Sequence, residues 1–324
     1  MFINSENSLS HPIIGIPMNK ATKRDRYLLV ALFIFLVGLY IYRTKQVQEQ
    51  VRIDKFIPRT TNGPKEVSGV PLVIYRTWLS NSVPIRMKES LTRSIALTPE
   101  FDNHIFTDDD CYNFIRDNFE PNVLNAYKCL KPGAYKADLW RYCIIYKKGG
   151  VYTDIKLEMK MSLYDVLEKH PVIYVQDVIS FPRAHISGLS DLLPGLSPSP
   201  NPLTTKTPLY NAFLASPPGN PVFKACIDEI VESCKNRDYK QNLFDITGPY
   251  QLGRMVDKYE GELFARNSPF KNKLAGMLHY SNMTFTVDYP GYRDDQSRLA
   301  HSKVPKYAVL YNNRDVFDTS VQFV

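Results

Sequence analysis

The spacing of apolar and polar residues predicts a helix, a stop and a strand between Ala134 and Met159. In the first part, apolar side chains cover most of a helical surface, while Asp138 and Arg141 share one face because they are three residues apart. Gly149 and Gly150 predict the helix end, since a residue without a Cβ can adopt the left-handed conformation that closes a helix. A charged pair on a mostly apolar helix indicates a binding role or a buried salt bridge.

Beyond the two glycines, residues 151–159 alternate with a period of two, which is the pattern of a β-strand. The alternation predicts one apolar face that belongs to a core. The opposite face carries four polar residues: Tyr152, Asp154, Lys156 and Glu158. These side chains are predicted to face solvent or a ligand.

Apolar runs elsewhere predict further strands and helices, and therefore one α/β domain over residues 70–324. Strands are expected at Pro71–Trp78, Asn103–Phe106 and Val172–Gln176, with helices at Leu163–His170 and from about Pro221. The acidic run after Phe106 predicts a helix start capped by Asp108 or Asp109 rather than a metal site. Residues 181–208, rich in Pro, Ser and Gly, predict a long loop of the kind that is functional or mobile in a compact domain.

An uncharged apolar run, Tyr27–Tyr42, lies between Arg26 and Arg43. As a helix it extends about 24 Å, somewhat less than the ~30 Å hydrocarbon core, which flanking arginines and tyrosines can compensate. We predict a transmembrane signal anchor at residues 27–42, a tail at 1–26 and a polar stem at 43–69. The alternatives are a buried helix or the apolar part of a signal peptide.

Composition narrows the class of protein. The 324 residues are 44% hydrophobic and 12% aromatic, which excludes a disordered chain. The net charge of +7 and pI of 9.0 suit an anionic ligand, but the basic residues are scattered and match no nucleic-acid module, so we expect no nucleic-acid partner. Five cysteines without a C-x-x-C spacing leave the redox compartment open.

The central stretch ADLWRYCIIYKKGGVYTDIK resembles the sugar-nucleotide-binding region of glycosyltransferase family 32. The family pattern is a helix ending in S/A-D-L-x-R-Y, two glycines, and a strand that carries D-x-D. One position departs from it, because Lys156 stands where the family has the second aspartate. PLVIYRTW and the T-G-P of Thr247–Pro249 are similar to other landmarks, and the resemblance covers Pro71 to Leu252.

The resemblance implies a GT-A-type mixed sheet flanked by helices in a single catalytic domain. It also implies a retaining transferase that moves a hexose from a UDP- or GDP-sugar to a glycan, glycolipid or glycoprotein acceptor. The expected location is the Golgi or another secretory-pathway membrane, with residues 1–26 cytoplasmic and the C-terminus luminal, as a type II protein. The alternative is a catalytically inactive relative that binds glycans or assists assembly.

The resemblance also assigns roles to individual residues. Asp154 and Asn211 become candidate catalytic residues beside the transferred sugar. Trp78 is expected to stack on the nucleobase, and Asp138 and Arg141 to contact hydroxyl and phosphate groups. The complete set of candidate donor-binding residues is Trp78, Asp138, Arg141, Asp154, Lys156, Thr247 and Gly248.

A nucleotide-sugar donor needs positive charge beside its diphosphate, because that leaving group gains negative charge in the reaction. We favour Mn²⁺ or Mg²⁺ held by Asp154 and Glu158. Two alternatives stay open: Lys156 neutralises the diphosphate itself, or Lys156 is turned aside by pairing with Asp154 or Glu158. The C-terminal part offers no clear further ligand, since His279, Asp294, Asp295 and His301 match no family position.

Overall fold

The computed structural model describes residues 23–48, 50–177, 208–261, 268–274, 276–299 and 306–324. The chain divides into two units, Met1–Gln48 and Glu49–Val324. In the first unit the described residues form a helix, α1 (Lys23–Gln48), whose large apolar side chains from Tyr27 to Tyr42 are exposed. Within the described ranges, no helix combines the length and apolarity required to cross a membrane. The predicted membrane-spanning segment is therefore not supported.

The described part of the second unit consists of short strands and helices. The strands are β1 (Gln50–Arg52), β2 (Phe56–Ile57), β3 (Glu66–Val67), β4 (Val70–Pro71), β5 (Val73–Thr77), β6 (Ser82–Pro84), β7 (Asp102–Phe106), β8 (Gly150–Thr153), β9 (Leu157–Met159), β10 (Ile173–Asp177), β11 (Leu209–Ser216), β12 (Phe270–Leu274), β13 (Met277–Tyr280) and β14 (Met283–Asp288). The helices are α2 (Ile85–Ala96), α3 (Asp108–Asn118), α4 (Pro121–Cys129), α5 (Gly133–Lys148), α6 (Tyr164–Lys169), α7 (Pro221–Asn236), α8 (Pro249–Glu260), α9 (Tyr292–Leu299) and α10 (Tyr307–Asn312).

A ten-stranded mixed sheet organises the second unit, with the strand order β2-β7-β5-β8-β11-β10-β12-β13-β14-β9. Strand β5 runs parallel to both β7 and β8, and β10 runs parallel to β12. The other pairs in this sheet are antiparallel. This arrangement confirms the mixed α/β prediction.

Strands β8 and β11 lie at the centre of the sheet and are covered on both faces. On one face, helices α5 and α7 pack against Tyr152, Tyr174 and Leu214. On the other face, Val151 and Phe213 belong to a second apolar cluster. Such double coverage fixes the strands, so the residues at their ends are held in place.

The structure corrects the continuous strand predicted at residues 151–159. Strand β8 ends at Thr153, the chain turns with the Leu157 amide donating to the Asp154 carbonyl at 2.9 Å, and β9 then pairs with β14. The period-two pattern was misleading because Ile155 is buried in a separate cluster with Ile105 and Tyr289. The polar residues of this stretch therefore do not share one strand face.

The prediction of a stem at residues 43–69 is also wrong over most of that range. Strand β1 pairs with β6, and β2 pairs with β7 at the edge of the main sheet. Ile53 and Val67 are buried, so apolar residues between the polar ones attach this segment to the folded unit. Most of the long loop predicted at residues 181–208 lies outside the described residues.

The acidic run after β7 begins a helix, as predicted, but the cap is a different residue. Thr107 is the N-cap of α3, and its side chain accepts from the Asp110 amide while the Asp110 carboxylate accepts from the Thr107 amide. Asp108, Asp109 and Asp110 occupy the first turn, where negative charge interacts favourably with the helix dipole. Their position explains the acidic run without a metal.

Replacing Gly149 with alanine is expected to destabilise the protein by about 2–4 kcal/mol. Gly149 ends α5 with φ of +66°, and an added Cβ would lie 2.7 Å from the ring and nitrogen of Pro218. Gly219→Ala is the matched control, because Gly219 has φ of +79° but open space around it. Urea unfolding should show the larger loss for Gly149→Ala, and equal losses would show that the close approach contributes nothing.

Candidate donor-binding site

Three charged side chains meet where β8 ends against α5. The Arg141 Nη2 atom lies 3.1 Å from Asp138 Oδ1 and 3.3 Å from Asp154 Oδ1. Asp138 and Arg141 come from one face of α5, as their spacing predicts, and Asp154 follows β8. The three candidate residues therefore converge on one site.

The guanidinium of Arg141 is fixed by several further contacts. Its Nη1 donates to the Asn211 carbonyl at 2.6 Å, and the group stacks over the Tyr152 ring at 4.5 Å. Burial acts to lower the pKa of Arg141, but the surrounding tyrosine and carboxylates raise it above its ordinary value. Arg141 is therefore a permanent buried cation that holds two carboxylates together.

Asp138 is saturated by contacts within the protein. Its Oδ1 accepts from Asn211 Nδ2 at 2.9 Å, and its Oδ2 accepts from Thr247 Oγ1 at 2.7 Å. Burial raises the pKa of Asp138 to about 6, although Arg141 and Thr247 act to lower it. The Asn211 amide also donates to the Tyr142 hydroxyl at 3.2 Å. These bonds make Asp138 and Asn211 a rigid support for the site.

Asp154 is the more accessible of the two carboxylates that contact Arg141. Its side chain is 26% exposed, against 12% for Asp138. Oδ1 accepts from the Tyr152 hydroxyl at 2.8 Å, whereas Oδ2 faces the Lys156 ammonium at 3.8 Å. Asp154 can therefore present an oxygen to the hydroxyl groups of a ligand.

Lys156 lies between Asp154 and a second carboxylate that the sequence analysis missed. Its Nζ is 3.8 Å from Asp154 Oδ2 and 3.9 Å from Asp288 Oδ1. Burial raises the pKa of Asp288, and Lys156 partly offsets that effect. Asp288 ends strand β14 much as Asp154 follows β8, so an aspartate at a strand end was the available signal.

Glu158 does not join Asp154 as the predicted metal pair. The Glu158 carboxylate binds Arg93 Nη2 at 2.7 Å and Lys160 Nζ at 2.5 Å. Burial alone would raise the pKa of Glu158, but these hydrogen bonds lower it to about 2. The turn after β8 separates the two acids, and the described ranges hold no group of three or more His, Cys, Asp or Glu residues suited to a metal.

The two remaining candidates, Trp78 and Gly248, make structural contacts. Trp78 follows β5, donates from Nε1 to the Ser82 carbonyl at 3.2 Å, and packs against the cluster that contains Ile155. Gly248 is the N-cap of α8, and an added Cβ there would lie 3.1 Å from the Phe244 carbonyl oxygen. A role for Trp78 at the nucleobase stays a prediction.

The cluster of charges lies where β8 ends, and the ends of central strands are common ligand-binding positions in α/β folds. In agreement, residues 84–173 match the family described as glycosyltransferase sugar-binding region containing DXD motif. The matched segment contains four of the clustered side chains: Asp138, Arg141, Asp154 and Lys156.

Individual relatives agree with this assignment. An uncharacterized glycosyltransferase, L373, of Acanthamoeba polyphaga mimivirus is 31% identical over 100 residues, which are 30% of this chain and 40% of the relative. Inositol phosphoceramide mannosyltransferase 2 of Schizosaccharomyces pombe is 26% identical over 236 residues, covering 70% of this chain and 59% of the relative. This chain thus spans less than two thirds of either relative.

Among solved structures, the PaToxG glycosyltransferase aligns over 71% of this chain and 79% of that chain, with 11% identity and a TM-score of 0.39. The family match and the curated relatives confirm the resemblance to the glycosyltransferases of family 32.

Proposed function

We propose that the protein is a GT-A-type mannosyltransferase that takes mannose from a nucleotide-activated donor, with GDP-mannose preferred over UDP-sugars. The convergence of Asp138, Arg141 and Asp154 at the end of a central strand carries this proposal. It lies inside the matched sugar-binding region, and several relatives are named mannosyltransferases. The sequence resemblance implies transfer of a hexose, and the names of these relatives narrow that hexose to mannose.

The chemistry of transfer assigns separate tasks to these side chains. The nucleoside diphosphate leaves with growing negative charge, which a fixed cation stabilises best when it is already oriented. Arg141 orients Asp154. Asp154 accepts hydrogen bonds from the hydroxyl groups of the donor through Oδ2, the oxygen that faces Lys156. Asn211 acts as a positioning residue, since its amide is committed to Asp138 and Tyr142.

We also propose transfer with retention of anomeric configuration. The Asn211 amide is a poor nucleophile and is held by two hydrogen bonds, so it does not favour a covalent intermediate. Attack by the acceptor on the same face, with the departing phosphate as base, requires no enzymatic nucleophile. This mechanism is compatible with the groups around Asp154.

The proposed acceptor is a phosphoinositol-containing sphingolipid. Three relatives carry the name inositol phosphoceramide mannosyltransferase, and the net charge of +7 suits an acceptor and a donor that both bear phosphate. A Golgi or other secretory-pathway membrane, predicted from the sequence, is where such an acceptor would be presented.

The full chain should transfer mannose from GDP-mannose to inositol phosphoceramide in detergent micelles, as detected by mass spectrometry. UDP-glucose, UDP-galactose and GDP-fucose serve as competing donors, and reactions without acceptor measure donor hydrolysis. The one-bond C1–H1 coupling of the transferred mannose, measured by NMR, reports its anomeric configuration. Donor binding without hydrolysis or transfer would instead indicate the inactive glycan-binding relative.

A further inference from the structure

The residues around Asp154 do not fit the divalent ion that the family motif implies. The space between the Asp154 and Asp288 carboxylates already holds the Lys156 ammonium, at 3.8 and 3.9 Å. A second cation at this position would face like charge at close range, which is strongly unfavourable in a partly buried site. Glu158, the other candidate ligand, is bound by Arg93 and Lys160.

We propose that the Lys156 ammonium is the built-in cation of this site and that it binds the diphosphate of the donor without a metal ion. The inference rests on the proposed function, because it names the group that meets the nucleotide. It also distinguishes this chain from a D-x-D enzyme, in which a carboxylate at the same position would hold the ion.

The ammonium is placed so that its protons can reach a ligand. At 3.8 and 3.9 Å, both carboxylates lie beyond hydrogen-bond distance of Lys156 Nζ. An ammonium has three N–H donors and binds phosphate oxygens well as a compact charge. The two acids therefore hold the lysine by charge and leave its donors for the diphosphate.

Asp288 Oδ1, buried beside Lys156, has no hydrogen-bond partner among the described residues, whereas the Tyr210 hydroxyl interacts with the Lys156 ammonium. Buried polar groups are nearly always paired in folded proteins, so an orphaned carboxylate oxygen beside an ammonium indicates a site that is completed by a ligand. The Tyr210 hydroxyl can donate to a phosphate oxygen, and a ribose hydroxyl can donate to Asp288.

The ammonium of Lys156 lies close to two aromatic rings. Its Nζ lies 5.5 Å from the Tyr210 ring and 5.8 Å from the Tyr292 ring. Tyr292 begins α9, and Asp295 in the same helix accepts from Arg86 Nη2 at 2.5 Å and from the Tyr289 hydroxyl at 3.0 Å. This anchoring orients the ammonium before a ligand arrives, which lowers the entropy cost of binding.

The charge state of Lys156 is consistent with this role. Burial acts to lower the pKa of Lys156, but Tyr210, Asp154 and Asp288 raise it above its ordinary value. The lysine therefore stays protonated at neutral pH. A lysine that stays protonated can supply the positive charge that a bound divalent metal ion would otherwise supply.

The test uses the full chain and measures GDP and UDP binding by isothermal titration calorimetry, once with EDTA and once with Mn²⁺. The wild-type Kd should change by less than about twofold between the two conditions. Lys156→Met should weaken binding roughly 10- to 100-fold, as expected for a lost charge-assisted hydrogen bond. Lys160→Met is the matched control, since Lys160 pairs with Glu158. This variant should bind nucleotide with the wild-type Kd.

A third variant, K156D, restores the D-x-D pattern. It should bind Mn²⁺ alone, as shown by electron paramagnetic resonance, and should bind GDP only when Mn²⁺ is present. Urea unfolding checks that each variant is folded. If K156D does not fold, the result for Lys156→Met decides the proposal.

The outcomes separate this inference from the proposed function. Wild-type nucleotide binding that EDTA abolishes and Mn²⁺ restores would overturn the lysine cation alone. Binding by Lys156→Met that equals the wild type would do the same. If neither GDP nor UDP binds in either condition, the proposed function fails and this inference fails with it.

Discussion

Replacing Asp154 with asparagine is expected to lower the rate of sugar transfer on the order of 10²- to 10³-fold, the usual loss when one preorganised electrostatic group is removed. The asparagine keeps an oxygen that can accept from Arg141 and Tyr152, so the free energy of unfolding should change by only about 1 kcal/mol. Initial rates with GDP-mannose and urea unfolding measure the two quantities. A large effect on rate with a small effect on stability identifies Asp154 as a residue that acts on the substrate.

Asp228→Asn is the control for Asp154→Asn. The Asp228 side chain is 57% exposed and pairs with Lys224 on the surface of α7, where an ion pair contributes little. Its transfer rate should equal the wild-type rate. If Asp154→Asn retains more than about half of the wild-type rate, the placement of Asp154 at the reacting sugar is wrong.

Replacing Arg141 with methionine is expected to destabilise the protein by about 3–5 kcal/mol, because it leaves the buried Asp138 and Asp154 charges without their shared partner. The Arg141 side chain is only 6% exposed, so water cannot compensate. Urea unfolding at neutral pH gives the free energy, and nucleotide binding should be lost even where the variant is folded.

The double variant Arg141→Met with Asp138→Asn separates charge from packing. Removing the Asp138 charge should recover part of the lost stability, since an uncharged amide costs less to bury. Arg93→Met is the comparison on the surface, because the Arg93 side chain is 53% exposed and Glu158 keeps Lys160 as a partner. A loss below about 1 kcal/mol for Arg141→Met would show that the buried charge network contributes little to stability.

Local patterns predicted the parts of the site that depend on neighbouring residues. Helix α5, its end at Gly149, and the shared face of Asp138 and Arg141 follow from helix geometry and from the conformational freedom of glycine. Thr247 and Asn211 were located by resemblance. The structure gives them a physical task, because both donate to Asp138.

The features that were missed depend on contacts between distant parts of the chain. A period of two cannot distinguish one long strand from two short strands joined by a turn, and the pairing of β9 with β14 decides that question at Asp154. Asp288 could not be linked to Lys156 without that pairing. The polar composition of residues 50–69 likewise concealed strands that join the domain.

The turn at Lys156 depends on the C-terminal part of the chain. The Tyr289 amide donates to the Lys156 carbonyl at 3.0 Å, and β9 is held by β14. Asn211, Thr247 and Asp288 all lie outside the matched segment 84–173. A fragment limited to that segment would keep the family motif but lose the residues that position its charged side chains. We therefore expect a functional fragment of this protein to extend well beyond the motif.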